Sequence, residues 1–293
     1  MLDRIDHLIV PVPDPAATAA AYEQLGLVLT PRTEHSGLGT ANRAAFIGTN
    51  ASNFAYIELL EVTSRDLVSR GSRSHYLPAL DAGGALASVA FGVGDITGAV
   101  DRLTTAGLAA DVREVAAADG RPIASTAVVD SRGALPFLPV LLAYPETWQA
   151  RYERSLAARR FAHTFPLKRL DHLALIAPAI DSSTAFWTGI LDVPVTGEIR
   201  APGMIIRQLQ VGDAIVELLG PDGPESRLAG SPPRLSSMAA WEVAGRLDDA
   251  VALARERGFT VSDPEAGVIP GTRRATIPAA ALGGLAMQLL EYI

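Results

Sequence analysis

The chain has 293 residues, of which 48% are hydrophobic and 19% charged, with a net charge of −7 and no cysteine. That length and composition fill the cores of two ordinary domains and exclude a disordered chain, while the acidic balance argues against nucleic acid as a partner. Without cysteine there are no disulfides, thiolate nucleophiles or thiolate metal sites. Any metal must be held by His, carboxylate, amide or water, a donor set that suits Zn, Fe, Mn, Ni, Co or Mg.

Residues 4–12 read as an apolar strand with His7 inside it. Asp14 and Pro15 supply an N-cap and a first helical residue. Ala16 to Gln24 is rich in good helix formers and Gly26 ends the helix. Strands are expected over Val28–Glu34, Asn42–Ile47 and Phe54–Val62, with a glycine-bearing turn from His35 to Thr40 and another turn at Asn50–Asn53. This is a βαβββ module. Glu58 and Glu61 in its last strand stand at opposite parity.

Ser64 to Gly84 is polar, with Arg65, Arg70, Arg73 and His75, and reads as a connector with some helix. The pattern then restarts: a strand over Ala85–Val93, Asp95 as a cap, a helix over Ile96–Ala106 closed by Gly107, and strands near Asp111–Ala116, Ile123–Asp130 and Phe137–Tyr144. In Glu146–Phe165, Trp148, Tyr152 and Leu156 recur at helical spacing among several arginines. The segment reads as an amphipathic linker helix whose basic face meets water.

At Leu167 the opening sentence returns. LDRIDHLIVPVPDPAATAAAYEQLGL becomes LKRLDHLALIAPAIDSSTAFWTGILDV, so Asp6-His7-Leu8 maps to Asp171-His172-Leu173, and Asp14 to Asp181 or Ser182. Gly189 takes a terminal role similar to that of Gly26. Module three runs to Gly220. Asp222–Arg234 is a Pro/Gly-rich connector. Module four has its helix at Leu247–Arg257 and ends on LAMQLLEYI, so the C-terminus is expected in a sheet. The expected domains are 1–145 (modules 1–63 and 85–145) and 167–293 (modules 167–220 and 235–293), joined by a linker helix over 146–166. No apolar run approaches the roughly 20 residues of a membrane helix. The first ten residues, with Asp3, Arg4 and Asp6, read as a strand and not a leader. A cytoplasmic protein that does not engage membranes is expected.

Four βαβββ modules, with a histidine in the first strand and ELL in the fourth, resemble the vicinal oxygen chelate superfamily, which includes glyoxalase I, methylmalonyl-CoA epimerase, extradiol dioxygenases and bleomycin-resistance proteins. IDHLIVPVPD, HSGLGTANRAAF, YIELLEV and LPFLPVLL are similar to the glyoxalase-like domain group. The resemblance covers nearly the whole chain and implies an α+β fold of two half-open barrels. It also implies a divalent metal held by inward residues of the first and fourth strands of each module. Carried over by position, these are His7 and Glu58 in module one, Ser88 and Val140 in module two, His172 and Glu217 in module three, and Ala239 and Gln288 in module four. Pairing neighbouring modules leaves the first barrel with His7 and Glu58. The second has His172, Glu217 and Gln288, the better metal set. A complete His/Glu/His/Glu set would need modules one and three to face each other, in a swapped arrangement within the chain or a homodimer. Ala239 stands where an extradiol dioxygenase needs its second histidine.

His35, Thr40 and Asn42 are positioned to line a substrate pocket beside His7 and Glu58. A histidine on an inward strand face is as readily a hydrogen-bonded core residue as a ligand. A carboxylate there is costly unless paired or coordinating, which favours function for Glu58 and Glu217. Glu61 and Glu291 are expected at the opposite face or rim, and His75 and His163 at the surface. The resemblance implies a metal-dependent enzyme that chelates a small oxygenated substrate for isomerase, epimerase or lyase chemistry, with Glu217, or Glu58 in the other barrel, moving the proton. Ring-cleaving dioxygenation with Fe(II) or Mn(II) is one alternative. The other is a metal-free binding protein of the bleomycin-resistance type, which would set Trp187, Trp241 or Phe137 against a ring.

Overall fold

Strand Arg4–Pro11 (β1) is buried along its whole length, because it has a neighbour on both sides in the middle of a sheet. The computed structural model describes residues 1–35, 37–71, 73–116 and 121–293. Ser36 of the glycine-bearing turn, Ser72 of the first connector and residues 117–120 lie outside the described residues.

Module one continues with α1 (Pro15–Leu25), β2 (Thr33–His35), β3 (Thr40–Ile47) and β4 (Ala55–Val62), and its connector folds into α2 (Arg65–Arg70) and α3 (Tyr76–Asp81). Module two is β5 (Ser88–Gly92), α4 (Ile96–Thr105), β6 (Ala109–Ala116), β7 (Pro122–Asp130) and β8 (Val140–Ala143), followed by α5 (Trp148–Ala157). Module three is β9 (Leu167–Ile176), α6 (Ile180–Gly189), β10 (Val195–Ala201), β11 (Met204–Val211) and β12 (Ala214–Gly220). Module four is β13 (Arg234–Val243), α7 (Leu247–Glu256), β14 (Glu265–Ala266), β15 (Thr272–Ile277), a 3-10 turn and β16 (Ala286–Tyr292).

The strands form two curled, half-barrel sheets of eight, ordered β2-β3-β4-β1-β5-β8-β7-β6 and β10-β11-β12-β9-β13-β16-β15-β14. The fold is therefore α+β and built on four βαβββ modules. Within a module the first strand pairs in parallel with the last, as β1 does with β4 and β13 with β16. The helix between them provides the crossover that a parallel pair requires. By contacts the chain divides into two compact, discontinuous units: residues 1–6, 88–148 and 173–236 in one, and 7–87, 149–172 and 237–293 in the other.

The caps follow local chemistry. Asp14 accepts from the Ala17 N–H at 2.9 Å, Pro15 opens α1, and Gly26 closes it at φ 96°. Asp95 caps α4 in the same way. Module three departs from this. Its helix begins at Ile180 after Ala179, with no side-chain cap. Asp181 and Ser182 thus fall inside the first turn, and Asp181 instead binds Arg207 at 2.8 Å.

Two other expectations are corrected. The second strand begins at Thr33 and not at Val28, since Pro31 has no N–H for a ladder and the Val28 N–H is taken by the His163 ring at 2.8 Å. In α5, Arg151 and Ser155 are buried whereas Leu156 is 54% exposed. Trp148 lies under the Arg4 guanidinium and the Tyr152 hydroxyl donates to the Thr49 carbonyl. These anchors turn the helix so that Leu156 faces water.

Candidate functional site

The best-assembled polar group on an inward face belongs to module one. In β1 and β4, His7 lies opposite Tyr56 and Ile9 opposite Glu58. In β3, Phe46 lies opposite Tyr56 and Ala44 opposite Glu58. Side chains alternate along strands, so this register puts His7, Tyr56, Phe46, Glu58 and Asn42 on one face. His7 stacks on Tyr56 at 4.3 Å and Tyr56 on Phe46 at 4.6 Å, with interplanar angles of 16° and 20°. The Arg160 guanidinium sits 4.9 Å over the Phe46 ring.

One row along the strands is the polar centre. The buried Glu58 carboxylate lies 3.5 Å from His7 Nε2 and 3.9 Å from His35 Nε2, and accepts from the Asn42 amide at 2.5 Å. The His35 Nδ1 is 2.8 Å from the Thr40 hydroxyl. His7, Glu58, His35, Asn42 and Thr40 are thus brought together. Burial by itself would push the Glu58 carboxyl up, but His7, His35 and Asn42 outweigh it and hold it at about 2. The His35 pKa is lowered, chiefly by burial, with Arg73 and His7 adding to the effect against the pull of Glu58. Tyr76 is pushed up by burial and by the Glu58 charge, and hydrogen-bonds Arg73.

Tyr56, Phe46, Arg73 and Tyr76 were not singled out in the sequence. Parity would have found Tyr56, two residues before Glu58 on the same strand. No sequence signal ties the connector residues Arg73 and Tyr76 to this face.

The second set is held differently. His172 Nδ1 is 2.8 Å from the Asp171 carboxylate, which also accepts from Arg169 and Tyr292. Despite burial, which raises its pKa, these partners keep Asp171 ionised. A carboxylate acceptor fixes the proton on Nδ1 and leaves Nε2 as the lone-pair nitrogen, the arrangement common behind metal-ligating histidines. Glu217 accepts from Gln208 at 3.1 Å, and the Gln288 amide lies 3.7 Å from the Met238 sulfur. His172 and Gln288 belong to one compact unit and Glu217 to the other. Ser88, opposite His7 in the duplication, is bound to the Leu138 carbonyl.

The remaining candidates have structural partners. Glu61 is bound by Arg32 and Glu291 by Arg273. His163 is not a surface residue: its ring joins the Val28 N–H to the Phe46 carbonyl, at 2.8 and 2.6 Å. Trp187 and Trp241 are fully buried.

Among the described residues no group of three or more His, Asp or Glu side chains is arranged to hold a metal ion. His7 and Glu58 are a two-donor pair. Their 3.5 Å separation matches two ligands on one ion, since bonds of about 2.1 Å at ordinary coordination angles span roughly 3–3.5 Å. An ionised carboxylate beside an imidazole also fits a borderline divalent ion in its donor chemistry.

Residues 5–191 match the glyoxalase-like domain model, and residues 171–276 match the glyoxalase/bleomycin resistance protein/dioxygenase superfamily model. The chain belongs to the glyoxalase-like domain family, within the vicinal oxygen chelate superfamily. No curated protein matches it. Among solved structures, it is similar to a mutant of 4-hydroxymandelate synthase from Streptomyces coelicolor, with a TM-score of 0.67 at 14% identity over 100% of this chain and 93% of that one. A hypothetical protein from Staphylococcus aureus gives 0.65 at 11% identity over 98% of both chains. The Mn(II)-bound glyoxalase from Novosphingobium aromaticivorans gives 0.63 at 13% identity over 99% of this chain and 82% of that one. At these identities the likeness is one of fold.

Proposed function

We propose that this chain is a metal-dependent enzyme that isomerises, epimerises or eliminates from a small substrate with adjacent oxygens and a planar group, working at the module-one site. The observation that carries this reading is the buried Glu58 carboxylate between two imidazoles and an amide. A buried charge with that surround is costly to keep for stability alone.

His7 and Glu58 would hold the ion. Bound there, a divalent ion supplies Lewis-acid stabilisation of negative charge on a substrate carbonyl oxygen. A carboxylate held at about 2 is a poor proton acceptor near neutrality, so Glu58 serves as an anionic anchor. His35 is the better base. Burial disfavours its charged form and lowers its pKa. Its Nδ1 lies within hydrogen-bond distance of the Thr40 hydroxyl and its Nε2 faces Glu58; with an ion neutralising the Glu58 charge and the proton on Nδ1, Nε2 would take a proton from a bound carbon acid. The edges of the Tyr56 and Phe46 rings, stacked with His7, form an aromatic wall beside the polar centre. That wall also supports a second reading, a binding protein that holds a ring and performs no chemistry.

Elemental analysis of dialysed, untagged protein tests the assignment. About one divalent ion per chain, lost in His7→Ala and kept in His172→Ala, supports the module-one site. Loss only in His172→Ala moves the site to module three, and loss in both points to a shared centre. No uptake in any sample, with binding of aromatic acids intact, leaves the binding protein.

A further inference from the structure

The segment that follows α5 brings a cation to the module-one face. Its backbone is set by a helix-end motif, in which the Arg160 N–H returns to the Ser155 carbonyl at 3.0 Å around Arg159 at φ 55°. That left-handed position is ordinarily taken by glycine, and an arginine there is strained. The Ala162 N–H then bonds the Arg159 carbonyl at 3.1 Å, and Phe161 packs edge-on against Phe46 and Phe54. The chain is therefore fixed on both sides of Arg160.

The Arg160 guanidinium lies 4.9 Å over the Phe46 ring. Tyr56 covers that ring at 4.6 Å and stacks in turn on His7 at 4.3 Å. Stacking at that spacing leaves no room for a guanidinium between two rings, so Arg160 closes one end of a column and His7 the other. His7 and Phe46 are buried, whereas Tyr56 and Arg160 are half-buried and reach solvent. The aromatic wall thus runs from the polar centre to a cation.

This cation is held unlike its neighbours. Arg32, Arg43 and Arg65 in module one each meet a carboxylate, at 2.6, 3.0 and 2.8 Å. Among the described residues no carboxylate pairs with the Arg160 guanidinium, and no hydrogen bond occupies its N–H groups. Burial, Arg154 and Arg151 all oppose its charge, and only Tyr56 favours it. A half-buried charge among like charges is stabilised by an anion, and the planar fork of N–H donors matches a carboxylate.

We infer that the substrate of the module-one site is a carboxylic acid whose carboxylate lies remote from its chelating oxygens, and that Arg160 receives it. The chelating end rests on the module-one reading, and the acid end on Arg160 alone. With the oxygens at the His7–Glu58 end, the body of the molecule lies along the edges of Tyr56 and Phe46. His7 and Arg160 are three stacking steps apart. A carboxylate on a carbon next to the chelating oxygens does not reach both ends, whereas one carried across a ring or on a short arm does. Arg160 selects the substrate and takes no part in the chemistry.

The test is calorimetric titration of the full chain, metal-free and zinc-loaded, with dihydrocaffeate, a catechol bearing a carboxylate on a short arm, and with its primary amide. The probes differ only in charge at the far end. The acid should bind about tenfold or more tighter than the amide in both forms. Arg160→Gln should bring the acid down to the level of the amide. Arg160→Lys should keep part of the preference, because a point charge replaces the fork. His7→Ala should weaken both probes and leave their ratio unchanged. Equal binding of acid and amide, no binding of either in either form, or a preference that survives Arg160→Gln overturns the inference. Loss of both probes by the same factor in Arg160→Gln marks a packing role and also overturns it. Zinc that tightens neither probe counts against the metal centre alone, since the acid-to-amide ratio is read without metal. If Arg160→Gln does not fold, Arg160→Lys decides, and an unchanged ratio there overturns the inference.

Discussion

The Tyr292 hydroxyl donates to the Asp171 carboxylate at 2.9 Å, and the Tyr144 hydroxyl donates to Asp6 at 3.1 Å. In each case a tyrosine just past or at the end of a module's last strand ties down an aspartate in the first strand of the module before it. The chain repeat thus preserves a latch as well as a strand order. Tyr292→Phe should lower stability by about 1.5–3 kcal/mol, the usual loss for a hydrogen bond to a charged group. It should also raise the Asp171 pKa, which Tyr292 helps to depress. Chemical denaturation and carboxyl NMR titration check the two effects.

Glu58 sets an acid limit on the fold. Its carboxyl is held at about 2 in the folded chain, below the ordinary carboxylate range. A folded-state pKa below the unfolded one means that the unfolded chain takes up the proton first as pH falls. The stabilisation is therefore complete above about pH 4.5, shrinks below it, and is gone under pH 2. It is on the order of 3 kcal/mol. In metal-free protein, the urea midpoint should drop across this window in the unmodified chain and change less in Glu58→Gln. Parallel curves for the two proteins would contradict the assignment.

His163→Ala should destabilise by roughly 2 kcal/mol, since it leaves the Val28 N–H and the Phe46 carbonyl without their bridge. In the unmodified chain the ring is neutral. The Val28 N–H points at Nδ1, and Nε2 carries the proton given to Phe46. Burial lowers the His163 pKa against the opposing effect of the Phe46 bond. Its contribution is thus present above about pH 6.5 and decays as pH falls from there toward the folded pKa. Thermal denaturation of both proteins at pH 7.5 and 5 reads the difference.

Asp14 and Asp181 occupy related places in the repeat but do different work. Asp14→Ala removes a cap from α1 and should cost about 1 kcal/mol. Asp181 caps nothing and forms an exposed pair with Arg207, so Asp181→Ala should cost less than half of that. Equal losses in denaturant titrations would show that the cap is not the cause.

What could be read without coordinates follows from how local each signal is. Asp14, Pro15 and Gly26 fix α1 through contacts within four residues, so their roles were legible. The pairing of His7 with Glu58 was implied by the family resemblance, through their places in the first and fourth strands, and the register of β1 with β4 sets both on one face. His163 looked like a surface residue because its partners, Val28 and Phe46, are 135 and 117 positions away. The orientation of α5 was misread for a similar reason, since distant anchors at Arg4 and Thr49 override the helix's own apolar stripe. His172, Glu217 and Gln288 formed the richer set in sequence. Donor counting, however, carries no information about which residues share a compact unit.

The outermost strands of the two sheets have a bearing on colloidal behaviour. β2 and β14 are only three and two residues long. The longer β6 and β10 carry Asp111, Arg113 and Glu114, and Glu198 and Arg200, and each has a register shift. Short, charged and bulged rims deny a passing chain a template on which to add strands. The protection resides in a few exposed side chains that contribute little to folding energy. Replacing Arg113, Glu198 and Arg200 with threonine or valine would leave the melting temperature nearly unchanged while opening a route to fibrous association, so heat resistance and shelf life in this protein are set by different residues.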